Sequence, residues 1–272
     1  MNTTSEQGRG ARWLAALTGN AAAIAGYPAS VRVVDAPLAG QVARYIAVVP
    51  DPENRFPRVR NGEVGLVEGW QIARAVHEVM VTDRESRNKR PIVAVIDVTS
   101  QAYGRREEGF GIHQALAGAA GAYARARLAG HPVIGLIVGN AISGAFLAHG
   151  YQANRLIAFN DPGVAVHAMG KASAARITMR SIESLESLAS TIAPMAYDIE
   201  SYASLGLLWR CLQIEQPDRP STADVKAVEQ SLQAALEDIL VDSRRDLSSR
   251  FGAQNRQASA KVRETLRAQW SN

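Results

Sequence analysis

The sequence predicts an α/β fold, in which buried strands alternate with helices along the chain. Residues 91–96 and 132–138 are almost continuously apolar, as strands covered on both faces are. Residues 63–81 and 107–129 carry apolar or small residues at helical spacing. Strands that alternate with helices in this way are typical of sheets with crossover connections. With 272 residues, the chain is long enough to bury a full core, and we expect it to form one domain.

The beginning of the chain is predicted to be an extension followed by a pair of strands. Residues 1–10 are polar and are expected to be frayed, and residues 13–25 are expected to form a short helix. Together they make an N-terminal extension over about residues 1–25. Two β-branched runs, at 31–34 and 45–49, are separated by proline and glycine, which predicts paired strands joined by a turn.

The middle of the chain continues the alternation. The helix predicted over 107–129 has a face of small side chains that allows another backbone to approach closely. These are Ala115, Gly118, Ala119 and Ala122. After the strand at 132–138, a helix is predicted from about residue 143, and strands follow at 156–159 and 164–166.

The last third is predicted to be helical. Residues 172–241 are mostly helix-forming, with breaks at Pro194 and Gly206, and residues 257–268 form a last amphipathic stretch. We expect the part from about 172 to 272 to pack against a partner subunit, as helices appended to an α/β core often do.

Composition excludes several classes of protein. The net charge is +4 and the basic residues are scattered, so we predict no nucleic-acid binding. No apolar run reaches membrane length, and we predict neither a signal peptide nor a membrane partner. The single cysteine, Cys211, excludes an internal disulfide and is typical of a cytoplasmic protein. His113, His131 and His149 lack metal-ligand spacing, so no metal site is predicted.

Two strand-to-helix junctions, at 97–111 and 138–146, are the candidate sites. Each is predicted to follow a buried strand and open a helix, so that free backbone N–H groups point outward. Gly139 and Gly144 have no side chain, which allows a ligand to approach the backbone. Such amides can stabilise an oxyanion or an enolate. Neither junction has the pattern of a Walker loop or a dinucleotide-binding turn.

These junctions carry a family resemblance. Residues 65–70, 97–104, 107–111 and 139–145 resemble, in order and spacing, the alpha half of acetyl-CoA carboxylase carboxyltransferases. In those enzymes the last stretch reads G-E-G-G-S-G-G-A, and here it reads G-N-A-I-S-G-A. The opening of the chain, at 26–31 and 48–57, is closer to the gamma subunits of biotin-independent malonate decarboxylases.

The resemblance implies a crotonase-like spiral of ββα units with appended C-terminal helices. It implies a heterodimer with a homologous beta subunit that decarboxylates malonyl-S-acyl-carrier-protein to acetyl-S-acyl-carrier-protein and carbon dioxide. The carrier subunit holds a phosphopantetheine-type group derived from dephospho-CoA, and a transferase subunit completes the complex. No cofactor is expected on this chain itself, and no metal. Ala141 and Ile142 replace a glycine pair and are expected to narrow the pocket that receives biotin in the carboxylases, which favours a biotin-independent reaction.

The predicted site residues come from both junctions and from the strand after them. The predicted backbone oxyanion donors are Ile142, Ser143 and Gly144, and the predicted substrate-binding residues are Gln101, Tyr103, Gly104, Gly139 and His167.

Ser143 and His167 have competing interpretations. Ser143 could simply cap a helix, as serine often does. It also lies in a G-x-A-x-S pattern that resembles Clp-type peptidases, with His167 downstream, although no third member of a triad is evident. His167 could instead be a hydrogen-bonded histidine at the end of a strand.

Two other functions compete with the decarboxylase. A self-sufficient crotonase-type acyl-CoA hydratase or isomerase would need a carboxylate base from this chain, and no glutamate follows residues 139–144 where one is expected. A non-catalytic scaffold half of a carboxyltransferase would contribute mainly interface.

Overall fold

A seven-stranded sheet organises the chain in the computed structural model, which describes residues 8–251 and 253–270. The strands are β1 Val31–Leu38, β2 Gln41–Val48, β3 Ile92–Val98, β4 Val133–Ile142, β5 Arg155–Phe159, β6 Ala165–His167 and β7 Arg210–Leu212. The order across the sheet is β1-β2-β3-β4-β5-β7, with β6 paired to the far end of β4. All pairs are parallel except β1 with β2. The predicted α/β class, with its buried strands, is confirmed.

The helices alternate with these strands and then dominate the C-terminal third. They are α1 Gly8–Leu17, α2 Leu66–Thr82, α3 Arg105–Gly109, α4 Ile112–Leu128, α5 Ser143–Ala148, α6 Lys171–Thr178, α7 Ile182–Ala189, α8 Ile199–Ser204, α9 Thr222–Val241 and α10 Gln257–Trp270. The single helix predicted over 107–129 is two helices, because Gly111 between them has a φ of +83°. Within 8–251 and 253–270, no helix is both long and apolar enough to cross a membrane.

The predicted pair of strands is an antiparallel hairpin. Its register runs from Val31 opposite Val48 to Leu38 opposite Gln41. Ala39 and Gly40 form the turn, with φ angles of +49° and +78°. Two left-handed residues in a tight turn match the right-handed twist of the flanking strands. Both strands extend further toward the turn than the β-branched runs indicated.

The small-residue face of α4 brings two helices into close contact, as predicted. A Cβ on Gly69 of α2 would lie 2.8 Å from the backbone carbonyl of Ala115. One turn further on, a Cβ on Gly118 would lie 2.8 Å from the ring of Trp70. The two backbones therefore approach until only glycine fits at these positions. The contact lies in the first two turns of α2.

The N-terminal helix packs on the sheet. Trp13 is fully buried, its ring meets Phe159 edge-on at 4.6 Å, and its Nε1 donates to the carbonyl of Pro217 at 2.7 Å. The prediction that residues 1–10 are frayed is wrong for 8–10, because α1 begins at Gly8 and the Gly10 N–H donates to Asp97. Residues 1–7 lie outside the described residues.

The C-terminal third is only partly available to a partner. In α9, Val228, Leu232, Leu236 and Ile239 are buried in the main core. These side chains cover the sheet of their own chain and are not available to a partner, while for the rest of α9 the expectation stays a prediction. The short strand β7 also joins this sheet, beside β5. For the exposed helices α6 and α10 the expectation stays a prediction.

Candidate active site

The candidate turn lies further along the chain than the sequence indicated. β4 continues to Ile142, because residues 140–142 pair in parallel with residues 165–167 of β6. The turn therefore begins at Ser143, and the prediction that it begins near Gly139 is wrong. Ile142 precedes the helix as its N-cap, and its main chain lies in the strand opposite His167. This placement does not support Ile142 as an outward-facing donor.

Ser143 occupies the turn in an unusual backbone conformation. Its φ is +64°, a region that non-glycine residues rarely adopt and that is enriched at functional sites. The interpretation of Ser143 as a helix cap is wrong, because Ile142 holds that position and Ser143 is the first residue of α5. Its hydroxyl lies 2.7 Å from the hydroxyl of Tyr103 and donates to Oε1 of Gln101 at 3.1 Å.

Gly144 completes a pair of donors. Its backbone N–H donates to the same Gln101 Oε1 at 2.6 Å. A Cβ on Gly144 would lie 2.2 Å from that oxygen, so glycine is needed for the contact. An N–H and a hydroxyl therefore converge on one carbonyl oxygen. This is the arrangement that stabilises the oxygen of an enolate or a tetrahedral intermediate. The structure joins four predicted residues in one hydrogen-bond network: Tyr103 to Ser143, Ser143 to Gln101, and Gln101 to Gly144.

Gly139 is explained by a neighbouring carboxylate. A Cβ there would lie 2.2 Å from Oδ1 of Asp97. Asp97 accepts hydrogen bonds from the backbone N–H groups of Gly10 and Asn140, each at 3.0 Å, and so ties α1 to the ends of β3 and β4. Gly139 thus makes room for Asp97, and this placement does not support it as a substrate contact. Gly104 lies at the start of α3, with Arg58 and Glu107 as its neighbours.

A cavity of about 330 Å³ borders the turn, between α5 and residues 193–205. Three predicted site residues, Ser143, Gly144 and His167, line it. The rest of the wall is mostly apolar and was missed from the sequence: Phe146, Leu147, Tyr151, Val166, Ala168, Ala193, Pro194, Ala196, Tyr202 and Leu205. The turn is therefore open to an acyl-sized space.

His167 is the last residue of β6 and also lines this cavity. Its position therefore agrees both with a hydrogen-bonded histidine at a strand end and with a residue that faces the candidate site. Its Nδ1 lies 2.8 Å from the carbonyl oxygen and 3.1 Å from the amide nitrogen of Met169. The ring stacks on Tyr197 at 3.9 Å, and the Tyr197 hydroxyl donates to the same Met169 carbonyl. Burial lowers the pKa of His167 below its ordinary value, so the ring is neutral at pH 7.

The shape argument against biotin does not hold. Ala141 is fully buried and Ile142 nearly so, both within β4. Neither residue lines the cavity, because the strand reaches past them. Their side chains therefore do not narrow it, and a biotin-independent reaction stays a prediction that rests on the resemblance.

Comparison with solved structures defines the class of protein. The structure of transcarboxylase 12S has a TM-score of 0.58 with this chain at 20% identity, over 79% of this chain and 36% of that one. Such a match shows the fold alone. The crotonase-like carboxyltransferase fold that the resemblance implied is confirmed.

The family follows from the sequence match. The profile of the malonate decarboxylase gamma subunit matches residues 59–270, and the chain belongs to this family. A Pseudomonas malonate decarboxylase MdcD–MdcE hetero-dimer contains a chain with 62% identity and a TM-score of 0.90, over 97% of this chain and 99% of that one. The malonyl-S-ACP:biotin-protein carboxyltransferase of Malonomonas rubra is 38% identical over 155 residues, which are 56% of this chain and 53% of that relative. The match thus spans about half the length of this curated relative.

Proposed function

We propose that this chain is the gamma half of a malonate decarboxylase, which pairs with a homologous beta subunit and acts on malonyl-S-acyl-carrier-protein. The observation that carries the proposal is the pair of donors on Gln101 Oε1, beside a cavity of acyl size. A thioester carbonyl that replaces the amide oxygen of Gln101 would receive the Gly144 N–H and the Ser143 hydroxyl. The hetero-dimer of the Pseudomonas relative and the malonyl-S-ACP substrate of the Malonomonas relative support the partner and the substrate class.

The donors fit the chemistry of the reaction. The bond between the carboxylate carbon and the α-carbon breaks, and its electron pair moves toward the thioester carbonyl as an enolate. Carbon dioxide leaves, and a proton added to the α-carbon gives the acetyl thioester. The charge that develops on the enolate oxygen is the one that Gly144 and Ser143 would stabilise. Removal of one such donor costs about 100- to 1,000-fold in kcat.

The cavity wall favours the same step. An apolar surrounding destabilises the localised charge of a carboxylate more than the delocalised charge of an enolate. Phe146, Leu147 and Val166 provide such a surrounding. His167 is neutral at pH 7, so it can hydrogen-bond the substrate without holding the leaving carboxylate in an ion pair. We assign His167 to substrate binding on this basis.

The proposal includes finer points that come from the resemblance. The carrier would hold a phosphopantetheine-type group derived from dephospho-CoA, a transferase subunit would load it, and the complex would be cytoplasmic. Carbon dioxide, and not a biotin-bound carboxyl group, would be the product. The name of the Malonomonas relative includes a biotin protein as the acceptor, so biotin independence needs a direct test. Avidin should leave the release of carbon dioxide unchanged, and inhibition by avidin would count against biotin independence.

Reconstitution tests the main proposal. The purified chain alone should not release carbon dioxide from malonyl-S-acyl-carrier-protein, and the chain with its beta subunit should. Gly144→Ala places a Cβ 2.2 Å from Gln101 Oε1, where the thioester oxygen would bind, and should lower kcat/KM about 100-fold in the assembled complex. Gly109→Ala is the matched control, since a Cβ there meets no atom within 4 Å. Circular dichroism and co-purification with the beta subunit confirm that each variant is folded.

The alternatives give different outcomes in the same assay. A self-sufficient acyl-CoA hydratase or isomerase would act on an enoyl-CoA without any partner. A non-catalytic scaffold would leave the complex fully active after Gly144→Ala. The first outcome would refute the paired decarboxylase, and the second would refute the assignment of Ser143 and Gly144 as donors.

A further inference from the structure

A basic and aromatic groove of about 630 Å³ lies on the surface formed by the start of α2, α3 and the loop before α2. Its rings include Trp70 and Phe110, which are 51% and 65% exposed. Phe56 and two arginines, Arg55 and Arg106, also line it. No acidic residue lines this groove within the described part of the chain. Large exposed rings beside free cations are typical of binding surfaces.

The arginines are held by rings and not by carboxylates. The Arg55 guanidinium lies 4.7 Å from the Phe56 ring centroid, and that of Arg106 lies 5.2 Å from Phe56 and 5.9 Å from Phe110. Among residues 8–251 and 253–270, neither Arg55 nor Arg106 forms an ion pair. Stacking on a ring leaves the N–H groups of a guanidinium available to an external carboxylate.

The basic surface continues toward the candidate active site. A neighbouring cavity of about 430 Å³ shares Arg106 and is also lined by Arg58, Gly104, Arg105 and one carboxylate, Glu107. Arg58 is the more restrained of these arginines, since its Nε lies 3.8 Å from Glu107. Gly104 directly follows Tyr103, whose hydroxyl lies 2.7 Å from Ser143 Oγ. Arg105 and Arg106 therefore lie at the start of α3, next to the loop that contains Tyr103, which contacts Ser143 of the donor pair.

We propose that Arg55, Arg58, Arg105 and Arg106 form the docking surface for an acidic face of the acyl carrier protein. This inference rests on the proposed function, because it concerns the partner that delivers the thioester. Four exposed guanidinium groups complement a carboxylate-rich protein surface, and each can bind a carboxylate through two parallel hydrogen bonds. A carrier bound here would have its prosthetic group beside Tyr103 and the Ser143–Gly144 turn.

The test compares a carrier-bound substrate with a small one in the assembled beta–gamma complex. Arg55→Glu with Arg106→Glu should lower kcat/KM for malonyl-S-acyl-carrier-protein at least about tenfold, mainly through KM, and should weaken its dependence on salt. Turnover of malonyl-S-pantetheine, which has neither protein nor phosphate, should stay within about twofold of wild type, since neither arginine belongs to the donor site. Binding of unloaded carrier protein, followed by fluorescence anisotropy, should weaken in parallel.

The matched control reverses the charge of two exposed arginines beyond the opposite end of α2, with Arg84→Glu and Arg87→Glu. The 17 residues of α2 separate them from the groove by about 25 Å, so carrier turnover should not change. Equal losses on both substrates, unchanged carrier binding, or loss of the beta subunit from the purified complex would each overturn the docking assignment. Failure of the proposed function has a different signature, since wild-type complex would then not turn over malonyl-S-pantetheine at all.

Discussion

Gly139→Ala should destabilise the chain through Asp97. The added Cβ would lie 2.2 Å from Asp97 Oδ1 and 2.7 Å from its Cγ, so the carboxylate must move. Its hydrogen bonds to the backbone of Gly10 and Asn140 then weaken or break. A hydrogen bond to a charged group contributes about 1.5–3 kcal/mol, and overpacking typically costs about 1–3 kcal/mol. We expect the free energy of unfolding to fall by about 2.5–6 kcal/mol, from one lost bond and the overpacking together.

Urea denaturation of the purified chain measures this loss, and a double-mutant cycle identifies its cause. Asp97→Ala removes the group that the new Cβ would meet. In that background, Gly139→Ala should cost less than about 1 kcal/mol, because Gly139 does not have a positive φ and alanine can adopt its backbone conformation. Additive losses in the double variant would refute the steric explanation. A single Gly139→Ala variant as stable as wild type would refute it as well.

Three further predictions concern other parts of the molecule. Tyr103→Phe removes a hydroxyl 2.7 Å from Ser143 Oγ and should lower kcat/KM about tenfold with little change in stability, and unchanged kinetics would remove that hydroxyl from the donor network. Gly118→Ala places a Cβ 2.8 Å from the Trp70 ring and should shift tryptophan fluorescence and cost about 1–3 kcal/mol; an unaltered spectrum would contradict this contact. Burial lowers the pKa of His149 from 6.5 to about 4, so stability is fully present above pH 6.5 and should fall, on the order of 3 kcal/mol, as the pH drops toward 4. His149→Gln should flatten this pH dependence in urea titrations, and an unchanged slope would exclude this histidine as its source.

Local sequence patterns were sufficient to predict features that depend on neighbouring residues in the chain. The continuous apolar runs at 91–96 and 132–138 predicted β3 and β4, because strands buried on both faces must be apolar throughout. The spacing of small residues predicted the close contact of α4 with α2. The residue types at the two junctions predicted that Gln101 and Ser143 belong to one site, and they lie 3.1 Å apart in the structure.

The features that the sequence did not predict depend on contacts between segments that are distant in the chain. β4 extends to Ile142 only because β6 pairs with its end, and no local pattern in residues 138–146 reveals that neighbour. The far wall of the cavity comes from residues 193–205, which carry no motif. A glycine in a sequence shows only that space is needed, and the structure shows that Asp97 fills it at Gly139.

The donor pair depends on a loop that is itself held in place by main-chain bonds. Val64 donates to Ser100 and accepts from Ala102, each at 3.0 Å, so residues 100–102 form a short parallel bridge with the segment before α2. Gln101 lies between these bonds and reaches Ser143 and Gly144 from a fixed backbone. The positive φ of Ser143 costs about 1–3 kcal/mol, and its hydrogen bonds to this loop offset part of that cost. The conformation of the turn after β4 is therefore stabilised by the loop after β3, and hydrogen bonds join the two junctions into one structural unit.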